Sequence, residues 1–208
     1  MTRIGAGVIA IALAAMPGAQ TGAQTPVAKP ADATAWTIDS LHSSATFAVR
    51  HMLVSTVRGS LGPIQGRVWY DGKDPASIRA EATIDVKRLS TGNDARDKDL
   101  RGEDFFAADK YPSISFTSKR VVPGAGGAFK LVGDLTIRST TKEVTLDVDA
   151  PPPILKTARE ERTAATATTT INRFDYGLKW NNLIETGGAI VGPDVKITID
   201  LEITRKSS

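Results

Sequence analysis

The chain has no cysteine among its 208 residues, so no disulfide holds it together and no thiol is available as a nucleophile. It has two histidines, His42 and His51, and no Gly-x-Ser-x-Gly elbow, which leaves little for a hydrolase that needs a nucleophile with a base in reach. His42-Ser43-Ser44 with Asp39 holds the residue types of a triad, but strand alternation is expected to scatter them over both faces. Excess charge of one sign is also missing. With 26 basic and 23 acidic residues the formal net charge is +3, too balanced for a nucleic-acid-binding protein. Long apolar runs are scarce as well. The longest uncharged one, Ile4–Met16 after Arg3, is shorter than the roughly 20 residues of a membrane span. It has the form of a secretory signal peptide, with cleavage expected after Ala19 or Ala23. Neither position is a cysteine, which excludes a lipoprotein anchor, and no stable membrane insertion is expected.

What is present is alternation. Residues 1–23 are expected to leave as a signal peptide. Residues 24–35, rich in Pro and Ala, form a flexible linker, and residues 36–206 form one domain large enough to build a core without disulfides. Ala45, Phe47, Val49 and His51 fall on one face of a strand. Ile78, Ala80, Ala82, Ile84 and Val86 do the same with Arg79, Glu81, Thr83 and Asp85 opposite, as do Val195, Ile197, Ile199, Leu201 and Ile203. Phe129–Ile137 and the Val144, Leu146, Val148 series add two more strands, and Ile154–Arg162 reads as a charged connection. Gly59, Gly62 and Gly66 mark places where strands bend. Gly124–Gly127 lies between two strands with no helix after it, so it is a hairpin loop and not a phosphate loop. About eight antiparallel strands with polar outer faces predict an all-β fold, a closed lipocalin-like barrel.

One α-helix is expected in the barrel at about residues 93–106. Asn93 is its N-cap, Asp94 and Asp97 sit in the first turn, Asp94/Lys98 and Asp97/Arg101 are i,i+4 pairs, and Tyr111-Pro112 stops it. Phe105 and Phe106 are expected to dock it. Its acidic residues lack the loop of a calcium hand, so no metal is expected there. The inward faces carry aromatic and aliphatic side chains beside a strand of small residues, Ala165, Ala167 and Thr169. A barrel of this size either holds one apolar ligand or is packed solid, as interiors usually are.

A set of spaced motifs bears on that choice. They are Trp36-Thr37-Ile38-Asp39 with His42-Ser43, Phe47-Ala48-Val49-Arg50-His51, Val57-Arg58-Gly59, Arg96-Asp97, Leu100 and Asp104-Phe105-Phe106. Tyr111-Pro112-Ser113-Ile114-Ser115-Phe116-Thr117-Ser118, Gly133-Asp134-Leu135-Thr136-Ile137-Arg138, Thr141-Lys142-Glu143-Val144-Thr145-Leu146 and Ile171-Asn172-Arg173-Phe174-Asp175-Tyr176-Gly177-Leu178 complete it. In these the domain resembles the YceI-like polyisoprenoid-binding family along essentially its whole length. It departs at Ser60-Leu61 and at Arg138-Ser139, both expected to touch only local turns. The resemblance implies a lipocalin-like barrel with an open internal tunnel for an isoprenoid chain, as in polyprenyl phosphates or isoprenoid quinones. It also implies a periplasmic or secreted location, a possible homodimer, and no enzymatic activity. No cofactor is implied beyond the bound lipid.

Phe47, Val49, Ile84, Phe105, Phe106, Phe116, Leu135, Leu146, Ile197 and Ile199 are the expected contacts of the lipid tail. Its polar head is expected near a barrel mouth, in contact with His51, Arg173 or Trp180, and the sequence does not fix which. The competing readings are an enzyme acting on such a lipid and an interaction module with a filled barrel.

Overall fold

The structure, a computed structural model, describes residues 35–181 and 190–207. The expected signal peptide and all of the linker except Ala35 lie outside the described residues. Eleven strands follow in chain order: β1 (Ala35–Ile38), β2 (Ser44–His51), β3 (Ser55–Gly62), β4 (Ile64–Trp69), β5 (Arg79–Asp85), β6 (Ser113–Pro123), β7 (Phe129–Ile137), β8 (Thr140–Val148), β9 (Leu155–Lys156), β10 (Glu160–Asn172) and β11 (Val191–Lys206). One α-helix, α1 (Asp94–Arg101), lies between β5 and β6. Among the described residues no helix is long and apolar enough to cross a membrane.

The sheet closes on itself into an antiparallel barrel of eight staves, which removes open sheet edges from most of its circumference. Two of the staves are split. β1 and β2 lie end to end along β11, with Ile38 opposite Ile203 and Ala45 opposite Ile199. β3 and β4 likewise form one bent stave, the first half paired with β2 and the second with β1 and β5. The bend falls at Gly62, whose φ is 123° and where a Cβ would sit 2.1 Å from the Asp85 carbonyl oxygen. Only glycine fits there. The long pairing of β10 with β11, from Glu160↔Lys206 to Asn172↔Asp194, closes the cylinder. It also extends β10 into what the sequence suggests is a charged connection, because Glu161 and Arg162 find partners on β11 that lie far away in the chain.

The helix is shorter than the expected 93–106. Asn93 caps it as expected, its side-chain oxygen accepting from the Arg96 amide at 3.0 Å. Gly102 then leaves helical geometry with ψ 175°. Glu103 and Asp104, next in line, would place negative charge at the negative end of the dipole. Phe105 and Phe106 therefore sit in the turns that follow.

The expected Asp97/Arg101 pair remains as a charge interaction, while the direct bonds of both side chains go to the segment before the helix. The buried Asp97 carboxylate accepts from the Thr91 amide at 2.8 Å and the Thr91 hydroxyl at 2.5 Å. Arg96 Nε donates to the Thr91 hydroxyl and Arg101 to the Leu89 carbonyl. Burial pushes the Asp97 carboxyl up, but hydrogen bonds from Thr91 and Ser90 together with the Arg101 charge outweigh it and hold it below the ordinary 3.8. Ser90 in turn exchanges two backbone hydrogen bonds with Ser60 of β3. The helical segment is thus stapled to the barrel where the β5 ladder ends, and it serves as wall and cap there.

Candidate functional site

The inward faces do not meet. They enclose a cavity of about 210 Å³, far more than the water-sized voids that packed interiors leave. A barrel of eight staves can be filled by side chains or hold one small ligand, and here the small residues Ala80 and Ala82 on β5 and Ala165 and Ala167 on β10 keep space open beside them. Two aromatic rings of the lining lie over bare backbone: Phe47 over Gly59 and Phe116 over Gly133, where a Cβ would come within 2.7 Å and 2.5 Å of the rings. An alanine at either glycine would meet backbone as well as the ring, the Ser90 carbonyl oxygen at Gly59 and the Thr117 carbonyl oxygen at Gly133.

One end is closed by a polar plug just beyond the lining residues Ile38, Thr163 and Ile203. Trp36 is fully buried there, with the Arg205 guanidinium 4.2 Å above its ring. Arg205 Nε donates to the buried Glu161 carboxylate at 2.6 Å, and Lys156 reaches its other oxygen at 2.8 Å. Those two cations hold the Glu161 carboxyl below its ordinary value. Glu161 and Arg205 are charges on the inward face that the sequence reading did not anticipate, and their mutual pairing offsets the cost of burial.

The other end is capped by two segments. Leu100, Phe105 and Phe106 come from the helical insertion, Tyr176 from the 3-10 turn Arg173–Tyr176 after β10, and Leu178 from just beyond it. Phe105 and Trp180 meet with ring centroids 5.4 Å apart. Arg138, in the two-residue β7–β8 turn with φ 55°, stitches the segments together through the carbonyls of Phe105 at 3.1 Å and Gly177 at 3.3 Å.

Of the residues expected to contact a lipid, Phe47, Val49, Ile84, Phe105, Phe106, Phe116, Leu135, Leu146, Arg173, Ile197 and Ile199 all line the cavity. His51 ends β2 half-buried and Trp180 backs Phe105, and neither is part of the lining. Arg173 is buried and donates to four carbonyls, those of Leu178, Trp180, Val191 and Gly192, at 2.6 to 2.9 Å. It is a clamp for the loop after β10, which accounts for its burial without assigning it a head group. Phe105 and Phe106 are half-buried and line the cavity, with Phe106 packed against the core.

The lining also includes Phe129 and Leu131, which continue the Leu135 face of β7 and were legible from period-two alternation. It includes Tyr176 too, which sits in a turn where no periodicity marks it.

Asp39 and His42 are not scattered. The turn between β1 and β2 brings His42 Nδ1 to 2.8 Å from Asp39, which raises the imidazole above its ordinary value. Ser43, however, exchanges hydrogen bonds with the Glu202 backbone. Asp39, His42 and Glu202 offer three ligand atoms within 4.8 Å of one another, but Arg162 already pairs with both carboxylates. The cluster lies outside the cavity lining.

A family model described as the YceI-like domain matches residues 36–203. A UPF0312 protein of Staphylococcus aureus is 38% identical over 173 residues, spanning 82% of this chain and 98% of that protein. Among solved structures, BcnA of Burkholderia cenocepacia is similar with a TM-score of 0.67 at 23% identity, covering 79% of this chain and 98% of that one. A polyisoprenoid binding domain from Saccharophagus degradans is similar with a TM-score of 0.58 at 16% identity, covering 81% and 97%. At these identities the two structures share the barrel fold with this chain.

Proposed function

This chain belongs to the family of YceI-like domains, and on that premise we propose that it binds a long isoprenoid lipid inside its barrel and carries or sequesters it without transforming it. The observation that carries the reading is the cavity: internal, lined by aliphatic and aromatic side chains from nearly every stave, and closed by charge at one end. Such a lining suits a chain, since burial contributes roughly 0.8 kcal/mol per CH₂, whereas an ion would lose its hydration without a partner. The description of the Saccharophagus degradans neighbour as a polyisoprenoid binding domain agrees with a lipid ligand. The lipid is a polyprenyl phosphate or an isoprenoid quinone. The Ile4–Met16 run, read as a signal peptide, supports a periplasmic or secreted mature protein.

If the tail provides the affinity, lengthening it should strengthen binding stepwise, each added isoprene unit giving severalfold tighter association until the cavity is full. Ordering of the rotatable bonds offsets part of each gain. Titration of the purified protein with quinones of one head group and increasing tail length measures this. Affinity independent of tail length would mean that the chain is not held in the barrel.

A further inference from the structure

Among the described residues, seven large apolar side chains are exposed. Leu41, Val122, Leu155 and Phe174 are scattered singly, as on any surface, but Met52, Leu53 and Val54 follow one another and are 42%, 67% and 83% exposed. They form the tip of the hairpin between β2 and β3. The tip closes in two residues, the Val54 amide donating to the His51 carbonyl at 3.0 Å, with φ 51° at Met52 and 61° at Leu53. This is type I′ geometry, for which Asn-Gly is the relaxed choice. A leucine there is strained by its Cβ, and with most of its side chain in water it recovers little by packing. Strain held without a packing role points to a contact outside the chain.

The tip stands on the rim of the cavity. His51, just before it, pairs with Val191 of β11, and Val49 lies between Val57 and Val195. Val49, Val191 and Val195 line the cavity. Arg173 holds the Val191 and Gly192 carbonyls at this same rim, so the hairpin belongs to the end capped by the helical insertion and the turn after β10. On the outer face behind the tip, Arg50, Arg58 and Lys196 are exposed, with Arg58 and Lys196 on either side of Ala48 across the sheet. None of the three is in an ion pair among the described residues. Arg50 donates to the Leu53 carbonyl at 2.6 Å and to Thr56 Oγ1 at 3.1 Å, which fixes its charge beside the tip. The exposed Asp194 offsets these cations only in part.

An apolar end backed by cations suits a bilayer surface with anionic lipids. A second copy of the chain suits it less. Three consecutive side chains offer far less than the roughly 800 Å² that a standard interface buries on each partner, and a two-fold contact would bring the same cations together.

We infer that the β2–β3 hairpin docks the protein on an anionic lipid bilayer, with Met52, Leu53 and Val54 entering the interface and Arg50, Arg58 and Lys196 meeting lipid phosphates. The capped end of the barrel then faces the membrane, where a long isoprenoid, insoluble in water, resides. The inference rests on the lipid-binding function proposed above and names the surface with which the lipid is exchanged.

The test is vesicle flotation of the purified protein and of its double variant Met52→Asn/Leu53→Gly, which suits the turn. The parent should partition onto vesicles of equal parts phosphatidylcholine and phosphatidylglycerol more than onto phosphatidylcholine alone, and less at high salt. The double variant should melt at or above the parent, take up a short-tailed isoprenoid quinone from solution as the parent does, and partition at least about tenfold more weakly. Arg58→Glu/Lys196→Glu should abolish the preference for phosphatidylglycerol. Partitioning that is absent in the parent, equal in the double variant, or indifferent to phosphatidylglycerol would overturn the docking surface. A parent dimer that leaves vesicles unbound and is split by the double substitution would assign the tip to a second copy instead. If the parent docks but takes up no quinone from vesicles or from solution, the docking surface stands and the lipid-binding function fails.

Discussion

Trp36→Ala is expected to destabilise the barrel more than any substitution on its outer face. The indole is fully buried, its Nε1 donates to the Tyr70 carbonyl at 3.0 Å, and the Arg205 guanidinium rests on its ring. Truncating such a ring costs about 3–5 kcal/mol through lost burial and the cavity left behind, and here it also uncovers the Glu161–Arg205 pair. For a domain of this size the melting temperature should fall on the order of 10 °C. Leu41→Ala, at a side chain 88% exposed, should leave it unchanged. Calorimetry on both variants reads the difference. A Trp36→Ala protein that melts with the parent would mean that the plugged end contributes nothing to holding the barrel together.

Ala165→Phe should have the opposite profile, with stability kept and ligand lost. Ala165 lies on β10 opposite Leu201 of β11, and both side chains line the cavity. Adding an aromatic ring to a packed interior typically costs about 1–3 kcal/mol, but here the ring has open apolar space to enter. The variant should melt within a few degrees of the parent while the lipid recovered by solvent extraction falls by an order of magnitude or more. Full occupancy in a folded Ala165→Phe protein would place the ligand somewhere other than this cavity.

These expectations draw on different depths of information. The strand faces were legible because each is a local pattern. Phe129–Ile137 is a strand with those bounds, and the alternations of β2, β5 and β11 point the expected side chains inward. The split staves were less legible, since the break between β1 and β2 depends on which half of β11 each one meets. The helix end was misjudged by weighing Phe105 and Phe106 as docking residues above the stop at Gly102.

The charged plug was hidden for a different reason. Glu161 and Arg205 are 44 residues apart, and an inward charge at a strand end reads as solvated until its partner across the barrel is known. Arg173 looked like a head-group ligand, yet the carbonyls that hold it come from the loop it closes and from the start of β11. Whether the barrel is open or filled is not a property of any one strand. It follows from alanines on two staves that are unremarkable in isolation and come to line one space when the cylinder closes.

The most direct measurement of the central claim is native mass spectrometry of the protein purified gently from the producing cell. The account predicts a chain shortened by its first 19 to 23 residues carrying one apolar lipid of isoprenoid mass, released intact when the barrel is unfolded. A folded chain that carries no lipid, and takes none up from vesicles containing a long-tailed isoprenoid quinone, would contradict it.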